Sequence, residues 1–262
     1  MDVEFISLGS NCAVKFSIGR FNSNQMAYPF DWLITNNVGK INNFINNNNY
    51  QDFINFDQYS MELGHSNCPV TALEEQVINN LDKKLLIGTI VDSNKLENFS
   101  GEKILDELKK QITTLSNKIN ITNIDDVIDQ LYKKLVLILT KDGVILVHDH
   151  HINISWKEVK EKYDRRFERF LTLKNLDKPI IFVRFINYEE DTNELRTTLK
   201  NNFKNYYLLL LYNDSSFGEK LSDFIKIDDK CYSYKGKLIF DREPFFKDIY
   251  SKFLNEIVKN IH

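Results

Sequence analysis

Thiols, concentrated charge and long apolar runs are all scarce in this sequence. Its three cysteines, Cys12, Cys68 and Cys231, are too few and too odd in number for a disulfide framework in a chain of 262 residues. Reduced thiols in an intracellular compartment are the expectation. The formal net charge is -3, so there is no concentrated basic field, and no general nucleic-acid binding is expected. No stretch approaches the roughly 18 apolar residues that span a bilayer. The longest apolar runs, at 135–139 and 206–212, have the length of strands. Asp2 and Glu4 stand where a secretory leader would carry positive charge. A cytoplasmic protein without a membrane span is therefore expected.

Hydrophobic residues make up 42% of the chain and charged residues 27%, which lets a chain of this length bury a sizeable core. Aromatic residues, at 13%, supply bulk for packing. Val3–Leu8 reads as a buried first strand, Gly9-Ser10-Asn11 as a turn, and Ala13–Phe21 as a short helix that Gly19 weakens. In "YPFDWLIT" (28–35), Pro29 favours an extended Tyr28, and Asp31 sits among Tyr28, Phe30 and Trp32. Helices are expected at 38–47, 71–82 and 102–116, with helical spacing continuing through Leu131, and a strand at 85–91. The segment 50–70 reads as irregular because of Gly64 and Pro69. "KLVLILTKDGVILVHDH" (134–150) reads as a hairpin, or as a helix to Thr140 followed by a strand.

The second half is more regular. Trp156, Val159, Tyr163, Phe167 and Phe170 lie on one face of a helix over 155–173. "KPIIFVRF" (178–185) and "YYLLLLY" (206–212) read as strands buried on both faces. A helix at 190–203 separates them. Then come "FIKID" (224–228), a hairpin over 232–240 and a helix over 244–260. Continuous apolar strands alternating with helices predict an α/β fold, with a mostly parallel sheet covered by helices. The expected organisation is a single domain over 1–262, with a largely helical insertion or cap at about 38–130.

Cys12 follows the first strand where a helix begins, a position where backbone N–H groups and the helix dipole stabilise a thiolate. Small neighbours, Ser10 and Asn11, leave room for a substrate. "VHDHHI" (147–152) holds three of the five histidines. On a strand, His148 and His150 would face one way, and Asp149 and His151 the other. One histidine could act as base to Cys12. The same cluster could bind a metal, but nothing nearby supplies a third ligand, so neither metal nor cofactor is expected. Asp31, if buried, needs a partner. It could orient the base or bond neighbouring backbone. Arg165 and Arg169 share a helix face, Arg166 lies beside them, and Arg184 interrupts an apolar strand. Arginines near a pocket could clamp an anion, with ordinary ion pairs as the default. His65 with Cys68 is a weaker rival site, and Cys231 has no evident partner.

In order, "SLGSNC", "YPFDWL", "VHDHHI", "YDRRFERFL" and "IIFVRF" resemble a domain family of unknown function described as papain-like cysteine peptidases, with members in bacteria and large DNA viruses. The resemblance covers the first 35 residues and roughly 145–215. It implies Cys12 as nucleophile and His148, with Asp149 beside it, as base. Asp31 is the choice for a third member. Ser10, Asn11, Asp149, His150, Arg165, Arg166 and Arg184 form the expected substrate-binding set. The expected function is a thiol-dependent hydrolase acting on a peptide or other carbonyl substrate. A glycan- or nucleotide-sugar-related transferase with an arginine-lined anion site is the alternative, and a non-catalytic interaction protein the second.

Overall fold

The computed structural model describes residues 2–10, 13–21, 26–35, 37–50, 60–65, 71–83, 86, 101–119, 121, 123–141, 144–146, 156–186, 190–213, 224–236, 238 and 243–259. Packing divides the chain into two compact units. The first joins Met1–Asp52 to Arg165–His262, and the second is Phe53–Asp164.

The first unit is built on β1 (Glu4–Ser7), β6 (Ile180–Ile186), β7 (Tyr206–Asn213), β8 (Phe224–Lys226) and β9 (Cys231–Gly236), in the order β1-β6-β7-β9-β8. β1, β6, β7 and β9 run parallel; only the edge strand β8 is antiparallel. β6 is buried at all seven positions, as a strand covered on both faces must be.

On one face, Phe5, Ile181, Val183, Leu209 and Tyr234 pack against Val14 and Ile18 of α1 (Ala13–Phe21), and against Phe246, Tyr250 and Phe253 of α8 (Glu243–Lys259). Ser17 of α1 and Tyr250 of α8 share a buried hydroxyl hydrogen bond of 2.6 Å. On the other face an aromatic chain runs from Phe44 of α2 (Val38–Asn47) through Phe30, Phe170 and Phe203 to Phe182 of β6. Phe170 belongs to α6 (Trp156–Thr172), and Phe203 caps α7 (Asn193–Asn202). The expected parallel sheet between helical layers is present. Val159, Tyr163, Phe167 and Phe170 are buried, as the spacing on α6 predicts.

The second unit holds α3 (Ala72–Asn80), α4 (Gly101–Ser116) and α5 (Ile124–Lys134), with β3 (Ser60–His65), β4 (Leu135–Lys141) and β5 (Val144–Leu146). Thr71 starts α3 with a reciprocal cap: its side chain accepts from the Glu74 N–H, and the Glu74 carboxylate accepts from its N–H. β4 and β5 form the expected hairpin.

One local expectation is corrected. Residues 60–65 form a strand inside the segment read as irregular, because they pair antiparallel along β4 from Ser60↔Thr140 to His65↔Leu135. β8 and β9 pair antiparallel, and Asp228 Oδ1 accepts the N–H groups of Lys230 and Cys231 in the turn between them. Beyond β9, the second arm of the hairpin expected over 232–240 lies outside the described residues except for Leu238. Except for Leu86, which hydrogen bonds to Asp82 in a helical turn, the expected strand at 85–91 lies outside the described residues.

Candidate active site

β1 ends at Ser7, and the chain leaves the sheet through Leu8, Gly9 and Ser10. Gly9 and Ser10 both take left-handed backbone, with φ of 76° and 77°. A Cβ on Gly9 would lie 2.8 Å from Thr35 Oγ1, so both conformation and space call for glycine. Ser10 adopts such a φ against its side chain's preference, and the cost is met by bonding around it. Its N–H donates to Thr35 Oγ1 at 2.9 Å, and its carbonyl accepts the Thr35 N–H at 3.3 Å. Thr35 closes β2 (Leu33–Thr35) and is fully buried.

Arg184 lies beneath this turn, 1% exposed. Nη1 donates to the Leu8 carbonyl at 2.8 Å and to Thr35 Oγ1 at 3.2 Å, and Nη2 to the Thr35 carbonyl at 3.1 Å. Nε and Nη2 form a bidentate pair with Glu190 at 2.7 and 2.6 Å. All five of its N–H donors are thus used inside the protein. Arg184 holds the turn and has no N–H left for a substrate anion.

The segment 26–31 is tied down by a second buried charge. Asp31 Oδ2 pairs with Lys15 Nζ of α1 at 2.9 Å and accepts the Tyr28 N–H at 2.7 Å. Lys15, itself buried, also donates to the Met26 carbonyl at 2.7 Å. Burial pushes the Asp31 carboxyl above the usual carboxylate range, against the pull of Lys15, the Tyr28 N–H and Arg166. Asp31 Oδ1 is buried with no hydrogen-bond partner among the described residues. Arg169 donates to the Ala27 carbonyl at 2.5 Å. Arg166 is buried near Asp31, while Arg165 is exposed.

Of the expected site residues, Ser10, Asp31, Arg166 and Arg184 lie in the same unit. Asn11, Cys12, His148, Asp149, His150 and His151 lie outside the described residues, as do the side chains of His65 and Cys68. Ser10 and Ala13 bracket the expected nucleophile. Lys15, Thr35 and Glu190 were not singled out from the sequence. The signals for them were a lysine inside an apolar helix pattern and an acid six residues after a buried arginine. Cys231 is a free thiol buried in β9, and burial raises it to about 12. Among the described residues, no three His, Cys, Asp or Glu side chains come together to hold a metal. No described helix is long and apolar enough to cross a membrane.

A family model described as "Putative papain-like cysteine peptidase (DUF1796)" matches residues 3–206. The chain belongs to this family. The match takes in β1, the Gly9–Ser10 turn, Asp31, Arg184 and Glu190. A relative in a large DNA virus accords with the expected membership: an uncharacterised protein, R408, of Acanthamoeba polyphaga mimivirus is 25% identical over 242 residues, spanning 86% of this chain and 88% of the viral protein. No solved structure matches.

Proposed function

We propose that this family member is a thiol-dependent hydrolase with Cys12 as nucleophile and His148 as base. The Cys12 sulfur attacks the carbonyl carbon of a peptide or related acyl substrate while its proton passes to His148. N–H groups at the start of α1 stabilise the oxyanion. The protonated base then gives its proton to the leaving group, and water attacks the thioester to release the acid and the free thiol.

The observation that carries this reading is the turn ahead of Cys12. Two successive left-handed residues leave β1, a saturated buried arginine anchors them, and α1 starts at Ala13. A strand-to-helix turn of this kind costs backbone strain, which is concentrated where reactive groups are held. Asp31 is the third member in this proposal. Its Oδ2 is taken by Lys15 and Tyr28, and Oδ1 has no hydrogen-bond partner among the described residues.

Mass-spectrometric mapping of limited iodoacetamide alkylation near pH 7 is the first test. Cys12 is expected to label well before Cys231, whose thiol stays protonated, and before Cys68. A Cys12→Ala variant should lose hydrolysis of fluorogenic peptide or ester substrates by roughly a thousandfold or more. Equal labelling of all three thiols, or undiminished hydrolysis in Cys12→Ala, would reject the assignment.

A further inference from the structure

We propose that a cavity at the N-terminal edge of the parallel sheet binds the diphosphate group of a small phosphorylated ligand. The cavity is about 680 Å³, within the range of small-molecule sites. It lies between α7, the start of β7 and the turn ahead of β9. Tyr206 in its lining is the first residue of β7, and Lys230 directly precedes β9. Gly9 and Ser10 follow the opposite, C-terminal end of β1. The cavity and the turn at Cys12 therefore sit at opposite edges of one sheet.

The lining is cationic although the whole chain carries -3. Arg196 and Lys200 stand four residues apart on α7 and share one face of it. Lys204 follows that helix, and Lys230 comes from the turn before β9. The two carboxylates in the lining are already engaged. Asp228 Oδ1 accepts the N–H groups of Lys230 and Cys231, both at 2.8 Å, and Oδ2 accepts from Arg196 Nε at 3.0 Å and from Nη2. Asp229 pairs with Lys226, outside the cavity, at 2.8 Å. Among the described residues, Lys200 and Lys230 have no carboxylate at ion-pair distance, and Lys204 reaches only Asp177, at 3.9 Å.

One of the four cations, Arg196, is oriented before any ligand arrives. Arg196 is held by Asp228 and by Asn193 Oδ1 at 3.1 Å. Prior orientation removes part of the ordering cost of binding. Lys230 Nζ rests 4.5 Å from the centroid of Tyr207, on the α1 and α8 face of the sheet, and is the cation that must turn to reach a ligand in the cavity. A diphosphate carries several charged oxygens on two phosphorus atoms and can engage more than one of these cations at once, which suits a lining of four cations better than a single carboxylate does.

Isothermal titration of the whole protein with inorganic pyrophosphate, ADP and adenosine tests the assignment. Pyrophosphate and ADP should bind competitively, more weakly as salt rises, and adenosine should not bind. Lys200→Ala/Lys230→Ala should weaken pyrophosphate binding about tenfold or more, with an unchanged circular-dichroism spectrum. Lys200→Glu, at an exposed position, is a second variant expected to fold and to bind more weakly still. Tighter binding of ADP than of pyrophosphate would identify a nucleotide-borne diphosphate, and equal binding the bare group. The proposal is overturned if pyrophosphate does not bind, if adenosine binds as well as ADP, or if folded variants bind unchanged.

Discussion

Burying the guanidinium of Arg184 is tolerable because every donor is matched. Removing it would leave the Glu190 carboxylate and the Leu8 and Thr35 carbonyls without their partner. Loss of one partner from a buried pair costs about 3–5 kcal/mol. Arg184→Met should therefore lower unfolding free energy by about that amount in urea titrations. Arg184→Lys should recover only part of it, since one ammonium cannot reproduce a planar fork. If Arg184→Met unfolds at the wild-type urea concentration, the clamp is energetically idle. That an arginine inside "IIFVRF" needs a partner is legible in the sequence. Leu8 and Thr35 are not, because they lie 176 and 149 residues away. Asp31 tells the same story: burial among aromatics demands a partner, but only packing brings Lys15 to it.

At the scale of elements, two glycines separate backbone need from helix propensity. Gly9 has left-handed φ and Thr35 Oγ1 against the place of its missing Cβ. Gly9→Ala should destabilise by about 1–3 kcal/mol. Gly19 lies within α1, and nothing stands within 4 Å of a Cβ there. Gly19→Ala should stabilise by roughly 0.5–1 kcal/mol. Thermal unfolding of the two variants should shift in opposite directions; a shared direction would contradict the turn geometry. The bounds of α1 and the hairpin of β4 and β5 were readable from apolar spacing. β3 was not, because the alternation of Met61 and Leu63 with polar neighbours in "SMELGH" is short and is interrupted by Gly64, and its pairing with β4 decides its conformation. The β8–β9 turn is closed by the Asp228 carboxylate and not by a glycine, so no turn residue pattern marks it in the sequence.

Over the whole molecule, two acids give stability opposite dependence on pH. The Asp31 carboxyl is raised chiefly by burial. The folded state holds that proton more tightly than the unfolded chain, so its contribution is greatest in acid. It fades as pH climbs from the ordinary carboxylate range through the raised value. Partial burial also works against ionised Asp228, but the Lys230 N–H, Arg196 and the Cys231 N–H outweigh it and hold the carboxyl low. Its contribution is present above the ordinary range and fades as pH falls through the lowered value. Urea unfolding between about pH 3 and pH 7 checks both signs. The deficit of Asp31→Asn relative to wild type should shrink as pH rises. The deficit of Asp228→Asn should grow. Parallel slopes for the two variants would contradict one of the two environments.

The sequence by itself determined the two-faced burial of β6 and β7, the apolar stripe of α6 and hence a sheet between helical layers. Burial of apolar side chains is non-directional and follows from composition and period along a local stretch. The order of motifs was enough to indicate the family. Only the tertiary structure decided which polar groups meet. The saturation of Arg184, the pairing of Lys15 with Asp31 and the gathering of Arg196, Lys200 and Lys230 around one cavity depend on hydrogen bonds and charges that act over a few ångströms. Those distances are set by folding segments far apart in the chain against one another, and no local pattern records them.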